Sequence, residues 1–238
     1  MTDRHPRTGG HGEHSGHRGY RYGVFLRPDA ATSLAVTTIT TAVRQQYGLV
    51  SAGAFPPHAT LAGHVVIARP DTATADRALI DHVSAALTAG DTTALGVRNP
   101  GTLVRVGPTI AYGLYSDGQS GLVDLAGTVN AALDDIRNPD DPHPHRYSPE
   151  TFRAHLSLAS HDLYARPDLT DEVAAFIEEL PVTPTPYFTA RTVNAYRFHS
   201  PDWSAGWWHA MTWEHLHTWY LPDGFETAPA VAAGVGQA

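Results

Sequence analysis

Two segments far apart in the chain carry the same pattern of side chains capable of acid–base chemistry. His58 is followed two residues later by Thr60 in the run FPPHATL. His155 is followed by Ser157 at the same spacing in the run FRAHLSL, and both histidines have Phe at minus three and Leu at plus three. Because side chains alternate faces along a β-strand, each histidine and its hydroxyl neighbour would point the same way. One such pair is usually only a polar strand edge, but two suggest the halves of one site.

Two imidazoles and two hydroxyls in one cleft suit the hydrolysis of a phosphodiester, and especially of a cyclic one. One imidazole can accept a proton from the attacking water while the other, protonated, donates to the departing ribose oxygen. The hydroxyls can donate hydrogen bonds to anionic oxygens without adding charge. General acid or base catalysis contributes on the order of 10²–10⁴-fold per group. This chemistry requires neither a metal nor a cofactor, and the sequence predicts none.

The elements that would position the first pair follow the order strand, helix, histidine strand, helix. Aromatic and β-branched residues predict a strand over residues 20–26. Asp29 then stands at the N-cap of a helix. The first histidine strand covers residues 57–67, and Asp71 or Thr72 begins the next helix.

The same order of elements begins again in the second half of the chain. A strongly periodic helix covers about 122–136, the second histidine strand covers 152–160, and Asp168 caps a last helix. The remaining predicted strands lie within about 94–115, 183–198 and 207–221. A duplicated unit suggests two lobes related by a pseudo-twofold axis, with the histidine strands facing each other across a cleft.

This arrangement resembles the 2H phosphoesterase superfamily, which includes 2′,3′-cyclic nucleotide phosphodiesterases and proteins of the bacterial 2′-5′ RNA ligase type. Its signature is two His-x-Thr/Ser-x motifs followed by hydrophobic residues, and residues 58–61 (HATL) and 155–158 (HLSL) match it. The resemblance implies an α+β fold with two pseudo-twofold lobes. Two mainly antiparallel sheets would line a central cleft, with helices outside.

The same resemblance implies roles for the four motif residues. His58 and His155 would be the acid–base pair, and Thr60 and Ser157 would hold the phosphate; which histidine is the base stays open. Many ligase-type members carry an arginine shortly after the second motif, where this chain has Ser160 and then a histidine. This departure favours a small nucleotide or a specialised metabolite over tRNA or other long RNA.

Three further residues are candidates for binding the substrate. Arg153 shares the strand parity of His155, so it could reach the phosphate or be a solvent-facing edge residue. Tyr22 and Tyr112 occupy equivalent points of the repeat, where either could stack on a base or pack between the lobes. His64 shares the parity of His58, but it would lie at the far end of the strand.

Composition limits the surroundings in which the protein works. The chain has 238 residues, no cysteine and a formal net charge of −8, which argues against duplex DNA as a partner. No apolar run is long enough for a membrane helix and no signal peptide is visible, so we expect a cytoplasmic protein. We expect a His-rich disordered arm at 1–19, one two-lobed domain at 20–221 and a flexible tail at 222–238.

The leading functional prediction is a metal-independent phosphodiesterase that opens a cyclic phosphodiester on a small nucleotide-like substrate. RNA end processing or 2′-5′ ligation could use the same residues, with an RNA end as partner. A non-catalytic nucleotide-binding module is the alternative from another class. The sequence leaves the substrate, its 2′ or 3′ regiochemistry and the oligomeric state open.

Overall fold

The computed structural model describes residues 19–69, 71–116, 121–141, 147–204 and 206–223. The predicted arm before Gly19 and the tail beyond residue 223 lie outside the described residues. The strands are β1 (Tyr20–Arg27), β2 (Ala59–Val65), β3 (Leu95–Arg98), β4 (Leu103–Val106), β5 (Thr109–Gly113), β6 (Tyr115–Ser116), β7 (His155–Ala159), β8 (Tyr187–Ala190), β9 (Thr192–His199) and β10 (Thr212–Tyr220). The α-helices are α1 (Ala30–Tyr47), α2 (Thr72–Ala89), α3 (Gly121–Asp134), α4 (Asp162–Ala165) and α5 (Thr170–Glu179).

The strands form antiparallel sheets, which confirms the predicted α+β class. The first sheet has the order β10–β9–β1–β2 and contains the strand that follows His58. The remaining strands form two three-stranded sheets, β4–β5–β7 and β6–β3–β8. The second histidine strand, β7, pairs with β5 along one edge of its sheet.

The first two helices begin and end where local chemistry predicts. The carboxylate of Asp29 accepts the Thr32 backbone N–H at 2.8 Å, and Asp71 caps α2 through the N–H of Thr74 at 2.8 Å. Gly48 ends α1 with a φ of 73°, in the left-handed region that favours glycine. These caps fix the ends of the segments that lead into and out of the first histidine strand.

The helices pack across the duplicated halves. Helix α1 follows β1 in sequence but packs against β7, whereas α3 of the second half packs against β2 and α2. Each histidine strand is therefore supported by a helix from the other half, and one main apolar core joins them. This crossed packing couples the positions of the two motifs. Among the described residues, no helix combines the length and apolar character needed to cross a membrane.

Some predicted boundaries were wrong. Asp168 does not cap a helix: it lies in a 3₁₀ turn at Pro167–Leu169 and its carboxylate pairs with Arg166, while α5 begins at Thr170 without a side-chain cap. The strand predicted over 183–198 divides into β8 and β9, which belong to different sheets. Trp207–His209 forms a 3₁₀ turn instead of the start of a strand, so the strand predicted from residue 207 begins only at Thr212.

Candidate active site

One cavity of about 440 Å³ brings the two motifs together. His58 and Thr60 line it from the first half, and His155 and Ser157 line it from the second. Arg153, two residues before the second histidine, lines it as well. The volume lies within the range typical of small-molecule sites. The sequence-predicted histidines and hydroxyls are therefore neighbours in space, although they are separated by almost a hundred residues in the chain.

The backbone holds both histidine rings in the same way. Nδ1 of His58 lies 2.7 Å from the carbonyl oxygen of Pro56, and Nδ1 of His155 lies 2.6 Å from that of Arg153. A carbonyl oxygen can only accept, so each ring donates a proton from Nδ1. Nε2 is consequently the nitrogen that each histidine has for proton transfer. The acceptor is two residues before the histidine in both halves, which extends the pseudo-twofold relation to single atoms.

Burial disfavours the charged form of both imidazoles. It lowers the pKa of His58 to about 4; the Pro56 carbonyl opposes this shift, and the charge of nearby His155 adds to it. Burial also lowers the pKa of His155, against the effect of its bond to the Arg153 carbonyl. Without a bound anion, both rings are therefore mainly neutral at pH 7.

Aromatic packing fixes the His58 ring. It stacks on Phe25 with the ring centroids 3.9 Å apart and the planes 19° apart, and Phe55 lies 5.6 Å away. Phe25 comes from β1, directly opposite Thr60 in the sheet register. One strand pair therefore supplies the histidine, its hydroxyl partner and the ring that supports the histidine.

An irregular stretch of β2 turns another histidine into the cavity. The pairing of β1 with β2 shifts register twice between Tyr22 and Phe25. His64, on the irregular strand, has a φ of 53°, which is uncommon for a residue with a side chain. It lines the cavity at a position six residues beyond His58.

The buried carboxylate of Asp162 joins three segments around the site. One of its oxygens accepts the backbone N–H groups of Val50 (2.8 Å) and Ser51 (2.6 Å), and the other accepts the indole N–H of Trp208 (2.7 Å). Burial alone would raise the pKa of Asp162, but these hydrogen bonds hold it below its usual value. The carboxylate thus ties the chain leading to the first motif to the end of the second.

The three predicted substrate-binding residues occupy different environments. Arg153 lines the cavity, and its guanidinium donates to the carbonyls of Glu150 (2.9 Å) and Phe152 (2.8 Å). Tyr22 and Tyr112 are only 3% and 4% exposed and belong to the main core, not to the cavity lining. Of the two predicted alternatives, stacking on a base and packing, these positions fit packing, because both tyrosines alternate onto the covered faces of their strands.

Sequence reasoning missed two basic side chains of the lining. Arg21 lies on the same face of β1 as Phe25, and its guanidinium is 4.7 Å from the centre of the Trp203 ring. Burial lowers its pKa, and Asp141 opposes the shift. His161 also lines the cavity, and burial lowers its pKa against the effect of Asp162. Strand alternation from Phe25 could have identified Arg21.

The charge of the lining is opposite in sign to that of the whole chain. Two arginines and four histidines line the cavity, and none of its described lining residues is Asp or Glu. The net charge of −8 is therefore carried elsewhere. Among the described residues, no group of three or more His, Cys, Asp or Glu is placed to hold a metal ion. The His-rich tract at 143–145 lies outside the described residues.

Comparison with known proteins adds structural likeness only. No protein-family model matches the sequence, and no curated protein does. Similar solved structures include E. coli LigT complexed with NADP⁺, which is 14% identical, with 85% of this chain and 98% of that chain covered and a TM-score of 0.48. Another is Kluyveromyces marxianus Usb1 with uridine monophosphate, 11% identical, with 83% and 96% covered and a TM-score of 0.42.

A third similar structure, that of a phosphoesterase, is 12% identical, with 85% of this chain and 99% of that chain covered and a TM-score of 0.47. All three matches lie at 14% identity or less and at TM-scores below 0.5. At such identities they concern the fold, and function has to be inferred from the geometry of the site.

Proposed function

We propose that this chain is a phosphodiesterase that hydrolyses a cyclic phosphodiester of a nucleotide-like substrate without a metal ion. His58 and His155 act as the acid–base pair, and Thr60 and Ser157 hold the phosphate. One observation carries the proposal. Both His–hydroxyl pairs line a single cavity, and each ring donates a hydrogen bond from Nδ1 to the backbone carbonyl two residues before it. Two Nε2 atoms are thereby left for one bound group.

The reaction divides the proton transfers between the two rings. Water attacks the phosphorus in line, and Nε2 of a neutral histidine takes its proton. The bond from phosphorus to one ribose oxygen breaks, and the other histidine, entering protonated, donates its proton to that oxygen. The product is a phosphomonoester with a free hydroxyl, and the pair as a whole has neither gained nor lost a proton.

We assign the base to His58 and the acid to His155. The pKa of His58 falls to about 4, so its ring is neutral before the substrate binds, as a base must be. The two imidazolium charges repel each other, so protonation of His155 favours a neutral His58. A phosphate between the rings would stabilise the proton on His155.

The lining suits an anionic substrate. Thr60 and Ser157 can donate to the non-bridging oxygens, and the guanidinium of Arg153 adds positive charge beside the second motif. No carboxylate occurs among the described lining residues, so none lies directly against the phosphate. The aromatic rings Phe25 and Phe55 give the cavity apolar surface for a base or sugar.

The test is hydrolysis of 2′,3′-cyclic nucleotides by the purified full chain in EDTA. Turnover should persist in the chelator and fall by about 10²–10⁴-fold in His58→Gln and in His155→Gln. His82→Gln is the matched control, because His82 lies on α2 outside the cavity lining. Thermal unfolding of each variant separates loss of chemistry from loss of folding. Full activity in either catalytic variant would overturn the mechanism, and tight binding without turnover would indicate a binding module.

RNA end processing is a second candidate, favoured by a basic groove beside the cavity. A groove of about 680 Å³ shares His155 and Arg153 with the cavity, and Arg98 and Arg105 also line it. Arg105 pairs with Asp171 at 2.5 Å in an exposed position, where such pairs contribute little. Short oligonucleotides ending in a cyclic phosphate should then be better substrates than mononucleotides, with an advantage that falls with salt and in Arg105→Gln. Equal kcat/KM values for the two substrates would exclude this candidate.

A further inference from the structure

The two motifs share more than their His–hydroxyl pairs. Residues 58–64 have the sequence HATLAGH, and residues 155–161 have the sequence HLSLASH. A second histidine therefore follows the first by six residues in each half, as His64 and His161. The residues between the two histidines agree at the leucine and the alanine and are small at the next position.

The fold brings this second histidine pair together as it does the first. The ring centroids of His64 and His161 are 6.4 Å apart, with the rings nearly perpendicular at 81°. Both rings line the same cavity as the catalytic motifs. Trp207 lies against both, at 4.9 Å from His64 and 5.2 Å from His161. The second pair therefore repeats the convergence of the first pair in another part of one cavity.

The backbones of His58 and His64 lie at well-separated levels of the first sheet. Along β1, Leu26 pairs with Ala59 and Tyr22 pairs with Val65, so four residues of β1 separate the levels of the two histidines on β2. At 3.3 Å per residue, their backbones are roughly 13 Å apart. This spacing exceeds the size of one phosphoryl group, so the pairs form separate subsites.

Arg21 adds a permanent positive charge to the second subsite. Its neighbour Tyr22 pairs with Val65, the residue after His64. Its guanidinium lies over Trp203, whose ring is 5.8 Å from that of His64. The negative groups near this subsite are Asp141, which acts on Arg21 electrostatically, and Asp162. Asp162 directs both carboxylate oxygens to other N–H donors, and neither acid lines the cavity.

The composition of the second subsite suits binding and not a second hydrolysis. Two residues after His64 and His161 the chain has Val66 and Leu163, so the hydroxyls of the first pair have no counterpart. Two imidazoles without a third ligand are too few for a stable metal site, and no larger ligand group occurs among the described residues. Two ring N–H donors and a guanidinium fork are well suited to the oxygens of a phosphoryl group.

We propose that His64, His161 and Arg21 form a distal anion subsite that binds a second phosphoryl group of the substrate. The inference rests on the proposed function, in which the reacting phosphate lies at the first histidine pair. The substrate is then a cyclic phosphodiester carrying a further phosphate or diphosphate at about a nucleotide's length from the reacting phosphorus. A plain cyclic mononucleotide occupies only half of the recognition surface.

A ladder of substrates tests this arrangement. Nucleoside 2′,3′-cyclic phosphates with zero, one and two phosphates on the 5′ oxygen extend the anion stepwise toward the distal subsite. In the wild-type protein, kcat/KM should rise by about tenfold or more at the length that reaches it. That ratio should fall toward one in His64→Gln, His161→Gln and Arg21→Gln, and stay at the wild-type value in His82→Gln.

Two results would overturn the distal subsite. One is a kcat/KM that does not change with the number of 5′ phosphates in the wild-type protein. The other is a kcat/KM ratio that stays at the wild-type value in all three variants. If the variants lower the melting temperature but keep the ratio, the histidines are packing residues only.

A binding assay separates failure of the inference from failure of the proposed function. Pyrophosphate is titrated while the fluorescence of the tryptophans beside the second pair is followed. Binding that persists in His58→Gln but is lost in His64→Gln supports the subsite even if no cyclic nucleotide is turned over. Binding that is absent, or equal in the wild type and His64→Gln, refutes it even if the first histidine pair hydrolyses its substrate.

Discussion

Replacing Asp162 by asparagine should both destabilise the protein and slow its chemistry. Asp162 is 8% exposed and accepts three N–H groups, two on one oxygen and one on the other. An amide of the same shape can keep its oxygen on Val50 and Ser51. Its NH₂ group then faces the indole N–H of Trp208, so a donor meets a donor.

The size of the effect follows from these bonds. Changing two charge-assisted bonds into neutral ones weakens each by about 1 kcal/mol, and an unsatisfied buried donor costs about 1–3 kcal/mol. We therefore expect the free energy of unfolding to fall by about 3–5 kcal/mol. Asp168→Asn is the matched control: its carboxylate is exposed and paired with exposed Arg166, so its loss should change stability by no more than about 0.5 kcal/mol.

The kinetic effect comes from what the carboxylate connects. Ser51 lies seven residues before His58, and Asp162 follows the strand that carries His155. A displacement of about 1 Å between reacting groups can reduce a rate by about 10²-fold. We expect kcat to fall by about tenfold or more in Asp162→Asn, while KM changes less, because the hydroxyls proposed to hold the phosphate remain.

A double-mutant cycle provides the assay that can refute this reasoning. Unfolding in urea is measured for Asp162→Asn, Trp208→Phe, the double variant and the wild type. Without the indole N–H, the asparagine no longer faces a donor, so its cost should fall to about 2 kcal/mol. Additive effects, or a loss in Asp162→Asn as small as in Asp168→Asn, would show that the carboxylate does not join these segments. If Asp162→Asn does not fold, Trp208→Phe alone should still lower kcat.

Three further predictions concern the histidines and their support. Because burial lowers the pKa of both His58 and His155, the profile of kcat/KM against pH should have its optimum on the acid side of pH 6.5; an optimum above pH 7 would contradict this. The folded state also binds fewer protons than the unfolded chain between roughly pH 4 and 6.5, so the free energy of unfolding should rise with pH there, and rise less in His58→Gln. Gly23→Ala puts a Cβ 2.6 Å from the ring of Phe25 that supports His58, so kcat should fall by about tenfold or more. In Gly113→Ala the new Cβ would be 3.3 Å from the nearest side-chain atom, on Val104, so this variant should keep near wild-type kcat. Equal kcat values for the two variants would refute the steric argument.

The sequence predicted features that depend on short-range chemistry. Asp29 and Asp71 cap helices because a carboxylate reaches an N–H three residues ahead whatever the rest of the fold does. Asp168 looked equivalent but failed, because Pro167 already begins a 3₁₀ turn and Arg166 pairs with the carboxylate. A residue pattern shows which side chain could cap a helix. It does not show whether another side chain binds that carboxylate instead.

The lining of the cavity was harder to predict, because alternation assigns residues to two faces without saying which face is open. Tyr22 and Arg21 are adjacent on β1; the tyrosine packs in the core and the arginine lines the cavity. The doubled motif could be recognised because both copies use local sequence. The second histidine pair could have been found by extending the comparison of the two copies by three residues.

Near symmetry with unequal surroundings explains how two similar motifs can perform different roles. Each imidazole donates from Nδ1 to the carbonyl two residues before it, so the bonds that orient the rings are alike. The surroundings differ, because His58 stacks on Phe25 at 3.9 Å and has its pKa lowered to about 4. Two titratable groups held apart in proton affinity can divide acid and base work between them. The packing against β1, rather than the motif itself, is therefore what makes the pair asymmetric, and Phe25→Leu should bring the two titrations closer together.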